Sequence, residues 1–481
     1  MNEQTIRADI LQAYPPIDEA EIDRLLREEI EKSEVRIIVL DDDPTGVQTV
    51  HDVSVYTDWT EESIRKGLEE KNKLFYILTN SRGFTREQTV KVHRTIGENI
   101  ARAAGGLGAP FVVMSRSDST LRGHYPTEPR ILKEVLEEKA GISFDGEVLC
   151  PFFKEGGRYT INDVHYVRYG EKLVPAGETE FARDKTFGYR SSNVREYVEE
   201  KTEGEYRAEE VCSVSLDSLR GMQIDAVTEQ LMAVKDFNKI VVNAIDYCDL
   251  KVFAAALYRA MARGKRFMFR TAAGLVKVMG GITDSPLLTR KDMVTRETDM
   301  GGIVVVGSHT QKTTAQLEEL LTLDAVEGIP FHSGLVMEGD AAFSAEIDRV
   351  VKASEAVMRS GRTAVCYTDR ELLTVENETK EEALLRSVKI SDGVQALVGS
   401  LSVTPAFVVA KGGITSSDVG TKALKVKRAD VMGQIKPGIP VWRTGAESRF
   451  PGTPYVIFPG NVGEVQTLRE AVEVLTDRDS G

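Results

Sequence analysis

The chain has 481 residues and a mass of 53.1 kDa, too long for one ordinary core and comfortable for two. Hydrophobic residues make up 41% and charged residues 28%, the balance of a soluble globular protein, and 61 Lys and Arg against 75 Asp and Glu leave a net charge of −14. Such a charge repels nucleic acid and anionic membrane. Four scattered cysteines without a C-x-x-C exclude a disulfide framework or a structural zinc site, and the first residues carry no basic-then-apolar leader. No apolar run reaches the ~18 residues of a membrane span. The expectation is a cytoplasmic protein that engages neither nucleic acid nor membrane.

Residues 1–34 read as an N-terminal helical extension. Ile22, Leu25, Leu26 and Ile30 recur at helical spacing in a Glu- and Arg-rich stretch, which suits packing on a domain surface and permits a homodimer without requiring one. From Val35 short β-rich runs alternate with stretches of helical length: VRIIVL, VSVY, KLFYILT, FVVMS, EVLC, KIVVNA and RFMFR. A second series follows a weakly periodic segment around 274–300: GGIVVVGS, TAVCYT, PAFVVAKGG and PYVIFPG. The fold class is therefore α/β, with two domains, each a mainly parallel sheet flanked by helices, over 35–290 and 291–481. Two such domains imply a small-molecule site in the cleft between them.

The chemistry concentrates at strand ends, where ligands bind in open α/β sheets. VRIIVLDDDPTG ends a buried strand in Asp41, Asp42 and Asp43, with alternation placing Asp42 opposite the other two. Three adjacent carboxylates repel one another, so at least one is expected to act as a base, a metal ligand or a hydroxyl acceptor. The same segment mimics a calcium loop, but a strand rather than a helix precedes it. It also fits an aspartate-nucleophile phosphatase of the haloacid-dehalogenase type, with Asp41 as nucleophile, Asp43 as acid/base and Thr79 as phosphate ligand. Arg82 in LTNSRGF suits bidentate pairing with a carboxylate or phosphate. MSRSDSTLRGHYPTE gathers Arg116, Ser117, Asp118, Ser119, Thr120 and Arg122, a set suited to a small polyhydroxylated anion. Glu155, Arg158 and His165 follow another strand, His165 alone reading as a structural histidine.

In the second half three strands run through glycine turns into helical patterns. The first passes Gly307 and Ser308 to Thr310. The second has Lys411, Gly412, Gly413, Thr415 and Ser416, and the third Gly460, Asn461 and Gly463. Backbone N–H groups and hydroxyls at such turns bind anions. Neither G-x-x-x-x-G-K-[ST] nor G-x-G-x-x-G is present, so a nucleotide would be held by other turns.

These motifs together resemble the four-carbon acid sugar kinases, over nearly the whole chain after the N-terminal helix. The family's D-D-x-T-G is similar to Asp42–Gly46, and its K-x-D-S-T-L-R-G to Arg116–Gly123. Its E-x-G-R-x-T…H-Y-V is similar to Glu155–Thr160 with His165–Val167. Its G-S-x-[ST], G-G-x-T-S and late glycine loops match Gly307–Thr310, Gly412–Ser416 and Gly460–Gly463. Two departures are Arg116 in place of the loop's Lys and Ile414 where the family often has an acid.

The resemblance implies a substrate-binding N-terminal domain and an ATP-binding C-terminal domain, with ATP and Mg2+ as cofactors and no protein ligand assigned to the metal. Asp42, with Asp118 second, is the expected catalytic base. Asp43, Arg82, Arg116, Ser117, Ser119, Thr120 and Arg158 would bind the sugar acid. Ser308, Thr310, Lys411, Gly412, Gly413, Thr415, Gly460 and Asn461 would hold the nucleotide. Beside this stand the phosphatase reading and a non-catalytic sensor of sugar acid or ATP.

Overall fold

The computed structural model describes residues 4–371, 373, 378–460 and 462–477. The chain forms two compact units, Met1–Thr49 with Asp58–Asp284 and Val50–Thr57 with Ser285–Gly481. Among the described residues no helix is long and apolar enough to cross a membrane.

The first unit is built on seven parallel strands: β1 (Arg36–Asp41), β2 (Leu74–Leu78), β3 (Phe111–Arg116), β4 (Gly146–Cys150), β5 (Cys212–Val214), β6 (Asn238–Val242) and β7 (Phe267–Thr271). Their order is β5–β6–β4–β7–β3–β1–β2. Ile37, Ile38, Val39 and Leu40 are all buried, as a parallel strand covered on both faces requires. Going from β1 to β2 the chain moves to one side, and from β2 it crosses to β3 on the other side of β1. The switch point, where loops leave in opposite directions, therefore lies between the C-terminal ends of β1 and β3. The helix Arg86–Leu107 starts at a Thr85–Gln88 capping box and stops at Gly108, whose φ of 62° suits glycine.

A small antiparallel sheet of Ile6–Arg7, Lys172–Pro175, Val164–Tyr169 and Arg158–Ile161 belongs to the same unit. The expected N-terminal helix spans Glu19–Lys32 and begins at Asp18, whose side chain accepts from the Glu21 N–H. It packs along the helix Tyr247–Ala262, with Ile22 and Leu26 buried and ion pairs from Asp23 to Lys251 and Glu29 to Arg259. Its apolar face is thus covered within the chain.

The second unit contains β8 (Ile303–Val306), β9 (Val326–Phe331), β10 (Thr363–Thr368), β11 (Val408–Lys411), β12 (Arg428–Lys436), β13 (Ile439–Thr444) and β14 (Pro454–Phe458). Their order is β12–β13–β14–β11–β8–β10–β9, parallel from β14 to β9 and antiparallel from β12 to β14. Here the order reverses between β8 and β11. The run VSVY, which the sequence pattern groups with the first series, pairs antiparallel with β12 as Val53–Tyr56. Nothing local announces a partner so far along the chain. The strand β9 and the β12–β13 hairpin were not expected. VEGIPF hides as a strand because Glu327, Gly328 and Pro330 interrupt its apolar pattern, and an edge position tolerates that proline.

Candidate functional site

At the β1–β3 switch point the three aspartates are not split by strand alternation, because β1 ends at Asp41 and the pleat goes no further. They share two guanidiniums instead. Arg82 grips Asp42 with two bonds, Nη2 to Oδ1 at 2.8 Å and Nε to Oδ2 at 3.3 Å, and reaches Asp43 at 3.1 Å. Arg116, at the end of β3, lies 3.0 Å from Asp41 and 3.6 Å from Asp42. Alternating acids and guanidiniums remove the repulsion that makes D-D-D improbable as a plain turn.

The three carboxyls differ in environment. Burial pushes Asp41 up to about 7 despite Arg116. Its carboxylate lies against the backbone of Gly46, where a Cβ would come within 1.9 Å of Oδ2, so this glycine is required by contact rather than by conformation. Burial also raises Asp42 against the pull of Arg82 and Arg116. For Asp43 burial is outweighed by Arg82 and by Thr45, whose N–H and hydroxyl both donate to Oδ1, and its proton affinity falls below the ordinary value.

The loop after β3 supplies a second cluster. Asp118 accepts from Arg122 Nε at 2.8 Å and from the Thr120 hydroxyl. Burial opposes its ionisation, but Arg82, Arg122 and Thr120 hold it well below the usual carboxylate range. Ser117 is buried and its N–H donates to Thr271 O, locking the loop to the end of β7. Ser119 is fixed by its carbonyl, which accepts from His165 Nε2 at 2.7 Å. With Nε2 donating, His165 Nδ1 accepts from Thr160 Oγ1 at 3.0 Å, and burial lowers this neutral ring to about 4. His165 is therefore a strut between the antiparallel sheet and the Asp118 loop. Arg158 stands at the start of its strand beside Asp118, with the Phe181 ring 5.5 Å from its guanidinium carbon.

Several residues of this group were not singled out from sequence. Arg270 at the end of β7 pairs with Glu128 and bonds Ser115 Oγ at 3.2 Å. Glu128 in turn accepts from Ser81 Oγ at 2.6 Å. Phe181 lies under both Arg122 and Arg158. A strand-end arginine in RFMFR was the available signal for Arg270. Glu128 looks like any first-turn helix acid, and Phe181 sits in a segment without periodicity. Glu155 accepts the Tyr247 hydroxyl at 2.8 Å. Thr79 donates to Asp41 O at 2.9 Å, so its hydroxyl is spent on backbone.

The second unit furnishes its β8–β11 switch point with backbone. Gly307 follows β8, and a Cβ there would stand 2.6 Å from Thr415 Oγ1, which places the Gly307 and Thr415 turns in contact. Gly412 has φ +115°, a conformation L side chains rarely adopt, and its N–H donates to Phe458 O at the end of β14. Gly413 opens the short helix after it, and Ile414 is 76% exposed. Thr310 caps the helix Gln311–Leu320 by accepting from the Thr313 N–H, with Ser308 just ahead of it. Lys411 is fully buried, donating to Pro459 O at 2.7 Å and Gly460 O at 2.9 Å. Burial, with Lys312 nearby, lowers it to about 7. It ties the β11 end to the turn after β14. Asn461 lies outside the described residues.

The comparisons follow this division. Residues 37–279 match the model of a sugar-binding N-terminal domain, and residues 303–468 that of a nucleotide-binding C-terminal domain. No curated protein matches by sequence. Among solved structures, a Salmonella typhimurium LT2 protein with a provisional tRNA synthase name is 14% identical with a TM-score of 0.65, covering 91% of this chain and 99% of its own. A Haemophilus influenzae protein of the DUF1537 family is 16% identical with a TM-score of 0.61, covering 91% and 100%. At such identities these two share the fold.

Proposed function

Because this chain belongs to the four-carbon acid sugar kinase family, we propose that it transfers the γ-phosphoryl group of ATP to a hydroxyl of a small sugar acid such as threonate, erythronate or 3-oxo-tetronate. The observation that carries this reading is Asp42. It is a carboxyl at the switch point of the sugar-binding domain with its proton affinity raised by burial. A Cβ at Gly123 would stand 2.6 Å from Arg270 Nη2 and 3.5 Å from Asp42 Oδ2, so the bare Gly123 backbone packs directly against Arg270 and Asp42. Asp43 and Asp118 are both held toward the ionised form and are weaker proton acceptors.

In this mechanism the acceptor hydroxyl gives its proton to Asp42 as its oxygen attacks the γ-phosphorus. The bond to the β–γ bridging oxygen breaks and ADP leaves. Arg82 holds Asp42 in a fixed plane, and Asp118 with Arg122 keeps the neighbouring loop in place. Backbone N–H groups around Ser308, Gly412 and Gly413, with the Thr310 and Thr415 hydroxyls, would receive the phosphates, while Lys411 braces the Gly460 turn. Magnesium would neutralise charge on the phosphate oxygens. Such an ion would need one or two protein carboxylates at most, with water and phosphate oxygens supplying the rest.

The phosphatase alternative needs Asp41 free to attack and Thr79 free to bind phosphate. Asp41 is enclosed by Arg116 and Gly46, and the Thr79 hydroxyl is spent. The test is a coupled ADP-release assay with Mg-ATP over four-carbon acids and their keto forms, run beside phosphate release from sugar-acid phosphates without ATP. ADP release that depends on one acid is the expected result. Phosphate release without ATP would restore the phosphatase, and tight nucleotide binding without turnover on any acid would leave a sensor.

A further inference from the structure

Among the described residues, every guanidinium around the aspartate cluster but one is committed to an acid of this chain. Arg82 serves Asp42 and Asp43, and Arg116 serves Asp41 and Asp42. Arg122 serves Asp118 at 2.8 Å and Asp184 at 3.6 Å, and Arg270 serves Glu128. Among the described residues Arg158 has neither an ion pair nor a side-chain hydrogen bond, and its Nε is buried without a partner.

Its position is nevertheless built. Nη1 lies 3.0 Å from where a Cβ at Gly156 would stand, so the guanidinium passes close over a glycine that leaves it room. The Phe181 ring is 5.5 Å from its guanidinium carbon and 5.0 Å from that of Arg122. An aromatic backing fixes a guanidinium while leaving its N–H edge available. The acids nearest in electrostatic reach are engaged elsewhere: Asp118 with Arg122 and Thr120, Glu180 with the Tyr169 hydroxyl. A largely desolvated cation without an anion is costly to keep unless a ligand supplies one.

We infer that Arg158, oriented by Phe181, receives the carboxylate of the acceptor and so makes the site prefer sugar acids to neutral polyols. This rests on the kinase reading above. Of the three arginines expected to bind the sugar acid, Arg82 and Arg116 are occupied by the chain's own aspartates, which leaves the carboxylate to Arg158. The guanidinium fork donates two parallel N–H···O bonds to a carboxylate, a geometry that Lys cannot reproduce. Phe181 is a positioning residue, and Arg122, on the same ring, stays with Asp118.

The experiment measures equilibrium binding of threonate, erythronate and 3-oxo-tetronate, and of the uncharged four-carbon polyols, to the full chain and to Arg158→Gln, Arg158→Lys and Phe181→Leu. KM values for acid and for ATP are measured in parallel. Arg158→Gln is expected to weaken acid binding about 100-fold, to erase the preference over the polyols and to leave the KM for ATP unchanged. Arg158→Lys restores part of the affinity, and Phe181→Leu costs about 10-fold on the acid alone. Acid affinity unchanged in Arg158→Gln, or acid and polyol weakened equally, overturns the inference while acid-dependent ADP release still upholds the kinase. Arg158-dependent acid binding without ADP release sinks the kinase reading and keeps the carboxylate site. No binding of any of these acids by the full chain overturns both.

Discussion

Both units reverse their strand order between their first strand and a strand laid on its other side, yet the two reversals are furnished in opposite ways. At β1 and β3 the groups presented are side chains: three aspartates, Arg82, Arg116, Asp118 and Arg122, joined by directional ion pairs. At β8 and β11 they are glycines and short hydroxyls, with Lys411 turned inward onto carbonyls. A polyhydroxylated acid differs from its relatives by single hydroxyls and needs directional partners. A phosphate chain is the same in every nucleotide and is served by N–H groups at close range. The difference makes each pole vulnerable to its own kind of substitution: loss of charge at the first, added bulk at the second.

The sharpest way to test the first pole is Asp42→Asn. The substitution keeps volume but removes the proton acceptor, together with one of the two oxygens that accept from Arg82, and kcat is expected to fall about 10²–10⁴-fold. ATP affinity, a property of the other unit, should hold. Steady-state kinetics with nucleotide binding measured separately checks this, and near-normal kcat would remove Asp42 from the mechanism.

The second pole should break under a single methyl. Gly307→Ala drives a Cβ toward Thr415 Oγ1, 2.6 Å away, and Gly412→Ala forces alanine into φ +115°. The first should raise the KM for ATP about 10-fold with acid binding intact. The second adds backbone strain of about 1–3 kcal/mol, read as a lower urea midpoint. If Gly307→Ala weakened the acid instead of the nucleotide, the division of labour drawn above would be wrong.

Much of the sheet framework was legible because parallel strands buried on both faces read as short Val, Ile and Leu runs, as VRIIVL and GGIVVVGS do. The strand-end position of Asp41–Asp43 followed from the same pattern. What the aspartates are paired with did not, since Arg82 and Arg116 reach them only through the β1–β2 and β1–β3 registers. Val53–Tyr56 could not be placed because its partner, β12, is some 370 residues on and is itself masked by Asp430, Gly433 and Gln434. Phe181 was invisible for a related reason: it works through the faces of two arginines and belongs to no periodic element. Lys411 was read as a phosphate contact from its motif position, whereas its Nζ faces Pro459 and Gly460 carbonyls, a direction that adjacency to a glycine pair does not specify.

The smallest expected effect concerns pH and separates the two poles again. His165 is fully buried and neutral, with its folded proton affinity lowered to about 4 by burial, against about 6.5 in the unfolded chain. Between these values the unfolded state binds the extra proton, so stability is present above about 6.5 and is lost as pH falls toward 4. Burial lowers His124 too, which adds in the same direction. The full window for His165 is worth about 3 kcal/mol. Replacing it by Gln, which can still donate toward Ser119 O, should flatten the stability profile by up to about 1.4 kcal/mol per pH unit across pH 4.5–6. Urea midpoints at half-unit intervals would read this directly. Because His165 holds the loop of Asp118, acid affinity should fail on the acid side before nucleotide affinity does. An unchanged slope in His165→Gln, or a nucleotide site that fails first, would mean that the strut does not govern the Asp118 loop.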